Sequence, residues 1–81
     1  MDTPQNHLDH IVSEGTRIYN ERLRVLLEPL HLGEFVVIDV QTGAYEVDPD
    51  QMAAADRAEA KNPGASFYAA KIGLRTLGRI G

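Results

Sequence analysis

The stretch GEFVVIDVQTGAYEV, residues 33–47, decides the architecture. Its first half, FVVIDV at 35–40, is short, β-branched and apolar at both alternating sets of positions. That is the composition of a strand covered on two sides. Gln41, Thr42 and Gly43 make a short turn in which Gly43 is free to take a positive φ. AYEV at 44–47 alternates and returns as an edge strand. A β-hairpin is therefore expected, with the two-faced strand on the inside of the sheet.

Downstream, Asp48, Pro49 and Gln51 form a helix-start signal, with Asp48 as N-cap and Gln51 at the capping-box position. The Ala-rich run MAAADRAEAK has high helix propensity, and a helix is expected over 49–62. Its Met52, Ala55 and Ala58 face is small and suits close approach to a sheet. Asn62-Pro63-Gly64 ends it. SFYAAKIGL reads as a third strand over 66–74, and 75–81 as a basic tail. Upstream, Thr3 and Pro4 suit the start of a helix over 3–28. Leu8, Ile11, Val12, Ile18, Tyr19, Leu23, Leu26 and Leu27 supply its apolar stripe. Gly15 lies on that stripe and would admit a close neighbour. Pro29 disfavours helical geometry at Glu28, so the helix is expected to stop there.

A hairpin followed by helix and strand has a preferred assembly. A right-handed crossover carries the third strand to the far side of the first. The sheet order becomes 2-1-3, with the first strand antiparallel to both neighbours, in one α+β domain spanning 1–81. Alternation sorts the faces. Val36, Ile38 and Val40 lie with Tyr45, Val47, Tyr68, Ala70 and Ile72, and this richer face is expected under the second helix. The other face holds Phe35, Val37, Asp39, Ala44, Glu46, Phe67, Ala69 and Lys71. It is too apolar to stand bare. Either the N-terminal helix folds under it or a second subunit does; a contact between subunits involving that helix is favoured, with Ile18, Tyr19, Phe35, Val37, Phe67 and Ala69 at the interface. A homo-oligomer, dimer favoured, follows.

Bulk properties narrow the class. Eighty-one residues give a marginal core that association would support. The chain has no cysteine, which disfavours a small disulfide-stapled secreted scaffold. No apolar run reaches the roughly 18 residues of a membrane span. MDTPQNHLDH lacks the basic and apolar segments of a secretory signal. A cytoplasmic location is expected. The net charge is −4, yet every acid lies at or before Glu59, while 61–81 carries Lys61, Lys71, Arg75 and Arg79. Lys71, Arg75 and Arg79 are the candidate contacts for phosphate or nucleic acid, the alternative to a protein partner.

Candidate chemistry is sparse. Asp39 ends the central strand with Lys71 on the same expected face, which predicts a cross-strand ion pair. An Asp39 general acid or base is the less favoured reading. His7 and His10, with Asp9 or Glu14, make half of a metal site at most. His31 is isolated. There is no GxSxG and no phosphate-binding Gly-rich loop, so no catalytic residues, cofactor or metal are expected.

The run GEFVVIDVQTGAYEVDPDQ resembles a group of short bacterial proteins, cyanobacterial ones among them. Their core is G-x-F-V-x-I-D-x-x-T-G-x-Y-E-V, preceded by a helix like EGTRIYNERLRVLLEP and followed by a strand ending R-x-x-G-R-I-G. The resemblance spans about 14–81. It transfers no catalytic residues. It implies a partner-binding, accessory or antitoxin-like role, because such proteins are often encoded beside a second small gene.

Overall fold

The computed structural model describes residues 4–73, with side chains from Leu8 onward. The chain runs α1 (Pro4–Ile18), a π-helical turn (Tyr19–Leu23), α2 (Arg24–His31), β1 (Phe35–Asp39), β2 (Tyr45–Asp48), α3 (Gln51–Lys61) and β3 (Phe67–Lys71). The sheet order is β2-β1-β3. β1 pairs antiparallel with both neighbours, Val36 facing Val47 on one side and Ala70 on the other. This is the α+β arrangement expected from a hairpin followed by a crossover.

The two faces of β1 are covered from within the chain. Val36 and Ile38 pack with Ile72 against Ile18, Leu23 and Leu27 of the N-terminal helix, with Tyr19, Val47, Tyr68 and Ala70 at the margin. Val37 packs against Ala54 and Ala58 of α3, with Ala55 and Phe67 alongside. Alternation thus sorted the side chains correctly, but the helices are exchanged relative to expectation. The bulky stripe of the N-terminal helix meets the bulky face, where each large side chain withdrawn from water contributes about 1.5–3 kcal/mol. Alanine-faced α3 settles over the slimmer face, where its small residues let the backbones approach. The second-subunit cover expected over Val37 is supplied by α3.

Element ends moved for identifiable reasons. Asp48 belongs to β2, and Asp50 is the N-cap of α3, its carboxylate accepting from the Met52 N–H at 3.1 Å. Asp48 instead accepts from the Asp50 N–H at 2.8 Å. The later start turns Ala54 and Ala58 inward and leaves Met52 66% exposed. The N-terminal helix does not stop at Glu28 but continues through Pro29 to His31. The bond that Pro29 removes would have gone to the Val25 carbonyl, and Val25 is 72% exposed, so water can serve it.

The π-helical turn sets the helix phase. Gly15 and Ile18 face the sheet, and a regular helix would next present Arg22. The Arg24 N–H bonds instead to the Tyr19 carbonyl, five residues back. That one-residue slip brings Leu23 and then Leu27 over the sheet. At Gly15 the helix lies directly against the Tyr68 side chain of the sheet. A Cβ built there would lie 2.2 Å from Cγ of Tyr68, whose hydroxyl receives a 3.3 Å hydrogen bond from Thr16.

Gly15→Ala gains helix propensity but drives a methyl into the Tyr68 ring. We expect a net loss of about 1–3 kcal/mol, read as a lower urea midpoint. A raised midpoint would mean that Tyr68 moves aside freely.

Candidate functional site

The hairpin turn and the end of α3 meet at Asp39. β1 ends there because Gly43, at φ 83°, completes a four-residue loop in which the Gly43 N–H bonds to the Asp39 carbonyl at 2.8 Å. The Asp39 N–H bonds across to the Ala44 carbonyl, also at 2.8 Å. The Asp39 side chain is buried, at 4% exposure. Its Oδ1 accepts from the N–H groups of Gln41 at 2.9 Å and Thr42 at 3.3 Å. Its Oδ2 accepts from the Asn62 amide at 2.7 Å. Burial pushes the carboxyl pKa up, but the donors of Asn62, Gln41 and Thr42 outweigh it and hold the group below its ordinary value.

The expected ion pair between Asp39 and Lys71 does not form. The register puts Asp39 opposite Phe67 and Lys71 opposite Phe35, at the other end of the sheet. A shared face was read from alternation, but antiparallel pairing separates the two by the length of β1. Lys71 is exposed, and its ammonium lies 5.4 Å from the centre of the Phe35 ring.

A second polar cluster joins β2 to α3. Arg57 donates from Nε to Glu46 at 3.0 Å, from Nη1 to Asp48 at 3.0 Å and from Nη2 to the Val47 carbonyl at 2.8 Å. Lys61 bonds the other oxygen of Glu46. Hydrogen bonds from Lys61 and then Arg57 lower the Glu46 pKa despite partial burial. Between the two clusters is a hollow of about 60 Å³ lined by Asp39, Tyr45, Glu46, Lys61, Asn62 and Phe67. Drug-sized ligand sites occupy roughly 300–1,000 Å³, so this space suits waters or one small group. Its charged groups are already engaged, Glu46 with Lys61 and Arg57, and Asp39 with Asn62 and the turn amides.

The expected interface residues divide. Ile18 and Val37 are core residues of the two covered faces. Tyr19 is half-buried, its hydroxyl accepting from the Gly73 N–H and donating to Glu28, both at 3.1 Å. Burial raises its pKa, opposed by the Gly73 amide and assisted by Glu28. Phe35 and Phe67 are half-buried and Ala69 is exposed, because α3 lies over β1 and β2 and leaves the flank along β3 open.

Of the basic set only Lys71 can be placed, since Arg75 and Arg79 lie outside the described residues. So does the His7 side chain, while His10 is exposed and His31 contacts Glu34 at 3.0 Å. Among the described residues no three His, Asp or Glu side chains converge as metal ligands. No helix there is long and apolar enough to cross a membrane. Sequence reading missed Arg57, to which it gave no role, and Asn62, which was read only as part of a helix stop. It also placed Leu26 in the inward stripe, whereas Leu26, Leu30 and Leu32 are 59%, 76% and 70% exposed. A comparison with protein-family models, curated proteins and solved structures finds no match to this chain.

Asn62→Ala strips Asp39 Oδ2 of its donor. We expect a cost of about 1–3 kcal/mol and an upward shift of the Asp39 pKa, followed by carboxyl NMR titration. In the native chain the depressed pKa stabilises the fold above roughly pH 4, and this contribution is lost as the pH falls through the folded-state value. Asp39→Asn should therefore unfold with a shallower acid limb. An unchanged limb would show that Asp39 does not contribute to acid sensitivity.

Proposed function

We propose that this chain is a protein-interaction module that works as a homo-oligomer, dimer favoured, in an accessory or antitoxin-like role beside another protein. The observation that carries the reading is the row of large apolar side chains left outside the folded core of so small a chain. Leu8, Val12, Val25, Leu26, Leu30 and Leu32 are each more than half exposed, all on or just after the N-terminal helix. Singly such residues are ordinary, but Val25, Leu26, Leu30 and Leu32 fall close together in sequence on or just after α2, a concentration of exposed apolar side chains of the kind that marks contact surfaces. Withdrawing even half a leucine side chain from water contributes on the order of 1 kcal/mol. The polar clusters fit the same reading, because Asp39, Glu46 and Arg57 spend their hydrogen bonds on holding turn, strand and helix together.

Light scattering across the micromolar range tests assembly, and a dimer is the expected result. A chain that stays monomeric up to roughly 100 µM, a concentration at which even weak specific contacts form, contradicts the reading. The double variant Leu26→Glu, Leu30→Glu changes only exposed positions and should keep its unfolding midpoint within about 0.5 kcal/mol. In parallel affinity captures from the source cell, a protein retained by the native chain and lost by this variant is the expected signature of the α2 patch. Equal recovery would remove that patch from the reading.

A further inference from the structure

The two edges of the sheet are treated differently. On β2, the Asp39 N–H to Ala44 carbonyl bond sets the alternation, so Val47 turns its backbone groups away from β1. Arg57 Nη2 takes the outward Val47 carbonyl at 2.8 Å, and Pro49 follows directly after the strand. That edge is partly guarded, by one capped carbonyl and by the proline at its end. On β3, the Val40 N–H bonds to the Ser66 carbonyl and the Ile72 N–H to the Glu34 carbonyl, so even-numbered residues face β1. Phe67, Ala69 and Lys71 therefore turn N–H and C=O outward, and none of the described residues forms a further strand beyond them.

We propose that this open edge of β3 is where two copies of the chain pair, forming one continuous antiparallel sheet of order β2-β1-β3-β3-β1-β2 about a two-fold axis at Ala69. This deepens the assembly reading above and rests on it. The occupant follows from self-complementarity. Only the register centred on Ala69 pairs all of the outward-facing residues with one another. Ala69 meets the partner's Ala69, and Phe67 meets the partner's Lys71, giving about six inter-chain backbone bonds. A register centred on Lys71 would set like charges opposite each other. In the Ala69 register the two lysines stand roughly 13 Å apart along the strands, beyond the screening length in physiological salt. Each lies instead beside aromatic surface, as Lys71 already does over Phe35.

The surroundings fit this pairing. Ala69 is exposed and small, so its counterpart across the axis meets no bulk. The flank of β3 on the α3 side is open, since α3 lies over β1 and β2. On the opposite face, Leu8 and Val12 continue at four-residue spacing the helix row from which Thr16 bonds Tyr68. At 58% and 53% exposure they add apolar surface beside the joined strands.

The test combines light scattering with amide hydrogen exchange on the full chain. As the protein dimerises with concentration, the amides of Phe67, Ala69 and Lys71 should slow by roughly tenfold or more. Ala69→Pro removes an outward N–H that no described residue of its own chain uses, and should weaken the dimer by at least about tenfold. Should that variant misfold, Ala69→Cys supplies an independent reading in a chain with no other cysteine. Facing Cα atoms in such a pair are about 5.5 Å apart, within disulfide range. Mild oxidation should link Ala69→Cys chains much faster than chains carrying Met52→Cys at an exposed site on α3. A dimer whose three outward amides stay fast, and whose Ala69→Cys form links no faster than the Met52→Cys control, overturns the edge pairing and leaves the assembly reading standing. A monomer at every concentration overturns both.

Discussion

A strand that is apolar on both sides must be covered on both sides, and the fold is arranged around meeting that demand at β1. Val36 and Ile38 project one way and Val37 the other, and all three are nearly inaccessible to water. The chain supplies the covers from different reserves. The N-terminal helix offers Ile18, Leu23 and Leu27, and α3 offers Ala54 and Ala58. Matching bulk with bulk maximises the area withdrawn from water, while the alanines let α3 lie close over a face with less to bury. Central placement also gives β1 a hydrogen-bonding neighbour on each edge, so the most apolar segment has no exposed backbone.

Polar groups fix what apolar packing leaves loose. Burial alone does not choose how the hairpin turn sits relative to the end of α3. Asp39 does, by gathering the turn amides on one oxygen and Asn62 on the other. Arg57 performs a related task from α3, tying Glu46, Val47 and Asp48 together along the outer strand. In doing so it occupies an edge carbonyl that would otherwise be free. The result is a sheet with one partly guarded edge and one without such a cap, and a helical layer with apolar residues exposed near its end. Both asymmetries bear on how such a small domain meets other molecules, because neither is needed for the fold of a single chain.

The legibility of the sequence followed the range of the interactions. The hairpin, the helix after it and the order of strands were readable from residues 33–66, since turn chemistry, capping and crossover handedness act over short spans. Asp39 stood out because a carboxylate in an apolar strand requires a partner. Its partner was misidentified because alternation reports a face and not a position along it. Lys71 shares that face at the other end of the sheet, and Asn62 looked like a helix stop. The N-terminal helix was recognised as a whole, but Leu26 was placed with the inward residues. A uniform 3.6-residue period does not anticipate the π-helical slip between Tyr19 and Leu23.

By itself, the sequence determined that an inner strand would begin at Phe35, read as 35–40 and found as Phe35–Asp39, that a hairpin and a crossover helix would flank it, and which side chains would share each face. These are consequences of backbone sterics and of a two-residue repeat. Only the tertiary structure decided which helix covers which face, which donor Asp39 finds and which edge of the sheet stays open. Those outcomes depend on shape and reach between segments far apart in the chain. Many pairings are compatible with the local pattern, and the one that packs without voids or unpaired polar groups is selected in three dimensions.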